Sequence, residues 1–192
     1  MFKLINFFVY LFYLPISLII VLIIRLISPL LLIRFIKVRS NRLGHFVIET
    51  EIYLCEKHIY NKNKRNFDIF FQEDHIVSNK YIKKIIKKKI FFINFFLGNQ
   101  IFSINRIISG KKNKFTTSII KNQDDTNNVF DKTDIQLKIP NEDIVKYKND
   151  FEKMGLPYNS KYVCVVFRDG EYLKKNLKFI DWNYHNYRDA NI

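Results

Sequence analysis

Residues 30–46 read Leu-Leu-Leu-Ile-Arg-Phe-Ile-Lys-Val-Arg-Ser-Asn-Arg-Leu-Gly-His-Phe and lead into Val-Ile-Glu-Thr-Glu-Ile-Tyr-Leu-Cys-Glu at 47–56. The first nine residues form an almost continuous apolar run, the pattern of a strand buried on both faces of a parallel sheet. A polar turn with one glycine follows, and after it a segment that favours a helix. The segment therefore predicts a strand, a glycine turn and a helix in direct succession.

The alternation of strands and helices continues along the chain. Residues 67–71 predict a short strand, 79–90 an amphipathic helix, 142–154 a helix ended by Gly155-Leu156-Pro157, and 162–167 a buried, β-branched strand. Residues 109–134 are rich in Lys, Asn, Asp, Thr and Ser, which predicts a long loop or an insertion. This order predicts an α/β, Rossmann-like fold with a parallel sheet, in which ligands bind beyond the carboxyl ends of the strands.

The N-terminal segment predicts a membrane anchor. No charged residue occurs from Leu4 to Ile24, and about 20 apolar residues are enough to cross a bilayer. The only alanine in the chain is Ala190, so we expect no signal-peptide cleavage site and a retained anchor. Basic residues crowd its far side, which places the rest of the protein on the cytoplasmic face of the inner membrane: Arg25, Arg34, Lys37, Arg39 and Arg42. A helix kinked at Pro15 or Pro29 that lies in the interface is the alternative.

Composition narrows the class of partner. The 192 residues carry 32 Lys and Arg against 18 Asp and Glu, a formal charge of +14 that excludes an acidic binding protein. The 48% of hydrophobic residues excludes a disordered tail. In the helix 79–90 the isoleucines share one face, and a basic face remains that fits either anionic lipid or solvent: Lys83, Lys84, Lys87 and Lys88. We expect no nucleic-acid partner, because no recognition-helix or base-stacking motif occurs.

Cysteine and histidine spacing gives no sign of a metal or disulfide framework. Cys55 and Cys164 form no C-x-x-C motif, and the four histidines lack zinc-ligand spacing. We therefore expect no metal and no disulfide scaffold.

A resemblance to a known family rests on three pieces of sequence. They are Arg42-Leu43-Gly44-His45-Phe46 with 50–54, then Tyr162-Val163-Cys164-Val165-Val166-Phe167-Arg168-Asp169 with Tyr172, and finally Tyr184-His185-Asn186-Tyr187-Arg188-Asp189. In this order and spacing the chain resembles a family of bacterial glycosyltransferases with an N-terminal apolar segment. The resemblance covers most of residues 25–192 and is weakest over 109–134.

The family implies a GT-B-like arrangement of two Rossmann-like halves, with the sugar acceptor on the first and the nucleotide-sugar donor on the second. We accordingly expect an anchor at 1–28, an acceptor-side domain at 29–158 with its variable loop at 109–134, and the start of a donor-side domain at 159–192. On this resemblance the chain would be a fragment truncated before the second half, a product of a disrupted reading frame, or half of a split enzyme. The rest of the donor side would in the last case come from a separate C-terminal half or a downstream polypeptide. Expected ligands are a nucleotide sugar and a cell-surface or lipid-linked glycan acceptor, with no further cofactor.

The resemblance also implies roles for particular residues. His45 or Glu51 would be the base that deprotonates the acceptor hydroxyl. Arg168 would bind the departing diphosphate, and Asp169 would orient Arg168. The alternative is an Arg168–Asp169 ion pair with a purely structural role at the end of the strand. The other expected substrate-binding residues are Arg42, Gly44, His185, Arg188 and Asp189. A non-catalytic adaptor that docks acidic lipid or protein through the helix 79–90 is the alternative function.

Overall fold

The computed structural model describes residues 2–60, 65–109, 113–119, 125–157, 160–161, 171–176 and 181–183. Its helices are α1 (Phe2–Ile27), α2 (Leu43–Tyr60), α3 (Lys80–Lys87), α4 (Phe95–Ser109), α5 (Asn141–Lys153) and α6 (Glu171–Asn176). Its strands are β1 (Leu32–Val38), β2 (Asn66–Gln72), β3 (Phe91–Phe92) and β4 (Thr116–Ser118). The predicted strand 162–167 lies outside the described residues.

The four described strands form one parallel sheet in the order β3-β2-β1-β4. Leu32 pairs with Asn66 and Val38 with Gln72, so β1 and β2 are in register over their whole length and end at the same edge. Helices connect the successive strands, as parallel pairing requires. The prediction of an α/β fold with a parallel sheet is confirmed.

Side chains of the sheet alternate between two apolar cores. Ile36, Val38 and Phe70 lie in one core with residues of α2 and α3. Phe35 and Phe71 lie in the other core with residues of α1 and α4. Because successive strand residues point to opposite faces, the apolar run of β1 supplies both cores. This explains why β1 shows no polar alternation in sequence.

The described part of the segment 109–134 includes a strand. It contains β4, which pairs with β1 from Phe35↔Thr116 to Lys37↔Ser118, and Phe115 and Ile119 flank the strand and are buried. The prediction of a long loop or insertion is therefore wrong for 116–118, which form a strand. The strand is only three residues long, and the buried side chains beside it lie just outside the strand. Because the strand itself and the surrounding sequence are polar, no strand pattern is visible in the sequence.

Helix α4 packs tightly on the sheet at Gly98. A Cβ atom at this position would lie 2.5 Å from Cβ of Phe71, whose ring is fully buried. Phe71 also packs edge-on against Phe102 one turn further along α4, with ring centroids 5.4 Å apart. The glycine therefore permits the close approach of α4 to β2.

Helix α1 lies along α4. Tyr10, Ser17 and Arg25 bind α4: the Asn99 amide donates to the Tyr10 hydroxyl (2.6 Å), Ser17 Oγ donates to Gln100 Oε1 (2.9 Å), and the Arg25 guanidinium donates to Asn105 Oδ1 (3.2 Å). Residues later in α1 contact residues later in α4, so the two helices run in the same direction. The segment Phe8–Ile27 is long and apolar enough to cross a membrane.

The chain divides into two compact units, 1–138 and 139–192. In the second unit α5 follows Pro140 and begins with Glu142 and Asp143, as predicted. Gly155 has φ 81° and its N–H donates to the Glu152 carbonyl (3.0 Å), so it ends the helix in the left-handed conformation that glycine favours. The predicted helix and its stop signal are confirmed.

Candidate functional site

The carboxyl ends of β1 and β2 meet in a cluster of polar side chains. Ser40 Oγ donates to the Ile76 carbonyl (2.7 Å) and accepts from the Gln72 amide (3.0 Å). The Asn41 amide donates to Asp74 Oδ2 (2.6 Å), and Asp74 Oδ1 accepts from the Ile76 N–H (2.7 Å). These bonds fasten the loop after β1 to the loop after β2. The edge where ligands bind in parallel α/β sheets is thus a fixed scaffold.

His45 and Glu49 form a pair in the first turns of α2, directly above this edge. They are four residues apart on one helix face, and Nδ1 of His45 lies 3.1 Å from Oε1 of Glu49. The Glu49 side chain is only 1% exposed, while the imidazole is 28% exposed. The carboxylate is therefore shielded and the ring is open to a ligand.

The surroundings raise the pKa of Glu49 and lower the pKa of His45. Burial raises the pKa of Glu49 to about 7, with Glu73 adding to the rise and Arg39 opposing it. Burial lowers the pKa of His45 below its ordinary value, and the charges of Arg39 and Arg42 lower it further. Glu49 therefore keeps its proton to a higher pH than an ordinary glutamate, and the imidazole loses its proton at a lower pH than an ordinary histidine.

This pair can act as a base above pH 7. Neither carboxyl oxygen of Glu49 makes a hydrogen bond to the described residues. A protonated Glu49 whose hydroxyl turns toward Nδ1 of His45 would leave the ring hydrogen on the other nitrogen. Once Glu49 is ionised, the Nδ1 hydrogen faces the carboxylate and the other ring nitrogen becomes an acceptor. A carboxylate-oriented imidazole of this kind removes protons from hydroxyl groups.

No protein-family model matches this chain, and neither a curated protein nor a solved structure matches it.

Gly44 lies inside the first turn of α2 rather than in a turn before it. The first helical bond runs from the Phe46 N–H to the Arg42 carbonyl (2.9 Å), and of the described glycines only Gly155 has a positive φ. The prediction that Gly44 lies in a turn before the helix is therefore wrong. Nothing lies within 4 Å of the place its Cβ would take, so the helix start is open at this point.

Glu51 has a structural environment. Its two carboxylate oxygens accept the backbone N–H groups of Gln136 (2.5 Å) and Leu137 (2.9 Å), and its side chain is buried. Two residues along a helix place it on a different face from Glu49. The carboxylate beside His45 is thus Glu49, which sequence reasoning missed although the H-x-x-x-E spacing was visible.

Other predicted site residues fall in two groups. Arg42 directly precedes α2, and its positive charge helps to lower the pKa of His45. The predicted substrate-binding residues beyond 161 lie outside the described part of the chain: Arg168, Asp169, His185, Arg188 and Asp189. Within the described residues no group of three or more His, Cys, Asp or Glu side chains is placed to hold a metal ion.

A second polar cluster, also missed from sequence, lies between the sheet and α2. Arg34 and Asp68 are register partners on β1 and β2, and the guanidinium grips the carboxylate at 2.6 and 2.8 Å. The Tyr53 hydroxyl donates to the same carboxylate, and Lys57 Nζ lies 4.0 Å away. Burial alone would raise the pKa of Asp68, but the bonds from Arg34 and Tyr53 hold it below its ordinary value. Both oxygens of the Asp68 carboxylate accept hydrogen bonds from protein side chains, which indicates a structural role.

Proposed function

We propose that this chain carries the acceptor side of a glycosyltransferase that works at the cytoplasmic face of a membrane. The observation that carries the proposal is the His45–Glu49 pair, 3.1 Å apart, at the carboxyl edge of the parallel sheet. The strand order β3-β2-β1-β4 agrees with a Rossmann-like half, because the chain leaves β1 toward β2 and returns on its other side with β4. In such sheets the crevice at this reversal is where ligands bind.

The proposed reaction uses the pair as a general base. The acceptor hydroxyl gives its proton to the free ring nitrogen of His45, and Glu49 stabilises the imidazolium that forms. The acceptor oxygen then bonds to the anomeric carbon of the donor sugar as the bond from that carbon to the diphosphate oxygen breaks. The nucleoside diphosphate departs with the electron pair. Donor binding is proposed for the second half, to which residues 159–192 would contribute.

The test is transfer activity in the full-length chain together with any separately encoded C-terminal half. Release of nucleoside diphosphate from a panel of nucleotide sugars is measured with lipid-linked glycan acceptors. His45→Ala and Glu49→Gln should abolish acceptor-dependent release, because general-base catalysis contributes roughly 10²–10⁴-fold. His58→Ala is the matched control, since His58 lies near the exposed far end of the same helix. No release with any donor, or equal loss in the control, would refute the proposal and favour the adaptor.

The packing of α1 supports the interfacial alternative for the membrane anchor. Its inner face is fastened to α4 at Tyr10, Ser17 and Arg25, over a length of about 22 Å at 1.5 Å per residue. Since α4 packs on the sheet, a helix held along it cannot cross a bilayer while the sheet stays in water. We therefore propose that α1 lies in the interface, with its outer face in the lipid.

The outer face of α1 fits a lipid surface. Large apolar side chains on it are exposed, among them Leu11, Ile19, Leu22 and Leu26, the last at 80%. The first turn of α1 contains no acidic residue, and the chain carries a net charge of +14, which complements anionic headgroups. This agrees with the interfacial alternative for the anchor rather than the spanning one.

A further inference from the structure

A second cleft opens at the carboxyl ends of β2 and β3, next to the start of α4. Its volume is about 350 Å³, and its walls include Gln72, His75, Lys83, Lys87, Phe95 and Phe96. Ligand pockets in proteins range over about 300–1,000 Å³, so this one suits a small group rather than a whole glycan.

The charge of the cleft is entirely positive. Lys83 and Lys87 are one turn apart on α3 and both face the cleft, and no carboxylate lines it. Burial lowers the pKa of Lys83, and the charge of Lys87 lowers it further. Lys83 Nζ is held at the wall by its hydrogen bond to Gln72 Oε1 (2.5 Å). An anion between the two ammonium groups would relieve their repulsion.

The other wall is aromatic and carries a helix start. The His75 ring packs against Phe95 at 4.3 Å and Phe96 at 5.0 Å between centroids. Asn94 Oδ1 accepts the Phe96 N–H (2.8 Å) and so caps α4, a helix of 15 residues whose positive end adjoins the lysines. The wall thus combines aromatic rings with the start of a helix, and the side-chain oxygens of Gln72 and Asn94 already accept hydrogen bonds.

The position of the cleft links it to the membrane-facing helix. The ring of Phe96 also meets that of Tyr10 on α1, edge to face, with centroids 6.0 Å apart. A phosphate held between Lys83 and Lys87 would thus lie beside the helix that we place in the lipid interface.

We propose that this cleft binds a phosphate or diphosphate group, presented by a lipid-linked acceptor at the membrane surface. The inference rests on the proposed function and deepens it, because both substrates of such a transferase carry phosphate. The same chemistry could come from a free nucleoside diphosphate, and the two sources are separable by experiment.

The first arm measures binding of inorganic pyrophosphate and of a nucleoside diphosphate to the full chain in detergent by calorimetry. Lys83→Gln with Lys87→Gln should weaken pyrophosphate binding at least tenfold. The matched control is Lys84→Gln with Lys88→Gln, the same spacing and charge on the neighbouring face of α3, and should leave it unchanged. Replacement of Lys83 and Lys87 by arginine should restore binding. Equal losses in both double variants would show unspecific charge attraction and overturn the proposal, as would unchanged binding in both.

The second arm uses flotation with phosphatidylcholine vesicles that contain either a polyprenyl monophosphate or phosphatidylglycerol. Wild type should prefer the monophosphate vesicles, and Lys83→Gln with Lys87→Gln should remove that preference while basal vesicle binding persists. Pyrophosphate binding without this preference would overturn the lipid source and assign the cleft to a nucleotide. His45→Ala separates the two proposals, since it should abolish transfer and leave pyrophosphate binding intact; binding without any transfer would sink the transferase and keep the cleft.

Discussion

Glu49→Gln should make the protein more stable at alkaline pH and flatten its pH dependence. Glu49 is buried beside His45, and its pKa is raised to about 7 from an ordinary 4.5, with burial as the main cause. Between these two values the unfolded chain ionises the carboxyl group while the folded chain keeps its proton. The folded state therefore binds more protons, and stability falls as the pH rises through this window.

The size of the effect follows from the shift. A rise of about 2.5 pKa units at about 1.36 kcal/mol each costs roughly 3 kcal/mol once Glu49 is ionised in both states. Below pH 4.5 the cost vanishes, because the group is neutral in both states. Glutamine has a similar shape and does not titrate, so the variant should exceed wild type by up to roughly 3 kcal/mol at pH 8 to 9. For a chain of this length that is roughly 6–12 °C in melting temperature.

The assay is thermal or denaturant unfolding of both proteins from pH 4 to pH 9 in one detergent and at one ionic strength. His45 acts with the opposite sign below its ordinary pKa, and the difference between variant and wild type largely removes its contribution. Glu142→Gln, at the exposed start of α5, controls for the loss of one carboxylate. Parallel stability curves for wild type and Glu49→Gln between pH 5 and pH 8 would refute the reasoning.

Four further outcomes are expected. Asp68→Asn should lower the free energy of unfolding by roughly 3–5 kcal/mol at pH 7, because it leaves the Arg34 guanidinium without its counter-charge. Urea unfolding measures this loss, which should shrink as the pH falls through the lowered pKa of Asp68. An unchanged urea midpoint would contradict the prediction. Leu22→Asp with Leu26→Asp should move the protein from the vesicle to the soluble fraction in flotation without changing its circular dichroism, whereas firm retention would argue against the interfacial face. Gly98→Ala should destabilise by about 1–3 kcal/mol despite the better helix propensity of alanine, because the new Cβ meets a fully buried ring, and a gain in melting temperature would disprove that close approach. Acceptor-dependent transfer should rise with pH through about 7 in wild type, as the carboxylate beside the base ionises, and a profile flat from pH 6 to pH 8 would exclude that role.

The parts of the fold that sequence predicts are those with a repeated pattern. Strand β1, helix α2 and strand β2 follow from apolar runs and helical spacing, and α5 from its acidic start and Gly155. Helix α4 escaped notice because the aromatic and β-branched residues of 91–108 suit strand and helix alike. Strand β4 escaped because its three residues pair with β1 over a sequence distance that no local pattern encodes.

Sequence predicts only part of the candidate site, because the contacts that complete it depend on the fold. The family resemblance implies His45 or Glu51 as the base, whereas the structure places Glu49 beside His45. The four-residue spacing from His45 to Glu49 is visible in the sequence, but only the fold shows that Glu51 binds the backbone of Gln136 and Leu137 instead. The two lysines of the cleft likewise shared one basic helix with Lys84 and Lys88, and only the position of β2 separates the pairs.

Helix α1 shows why apolar length alone is a poor guide to how a segment meets a membrane. Hydropathy averages over the whole circumference of the helix, yet Tyr10, Ser17 and Arg25 recur at intervals of seven and eight residues and so lie on one face. A spanning helix gains nothing from polar groups aligned toward lipid, whereas a helix that lies along its own domain uses them as hydrogen-bonding partners. Each of the three binds a side chain of α4, and large apolar residues occupy the opposite face. The spacing of these three polar residues, more than the number of apolar ones, therefore indicates that one face of α1 packs on its own domain, which is the basis for proposing an interfacial rather than a spanning helix.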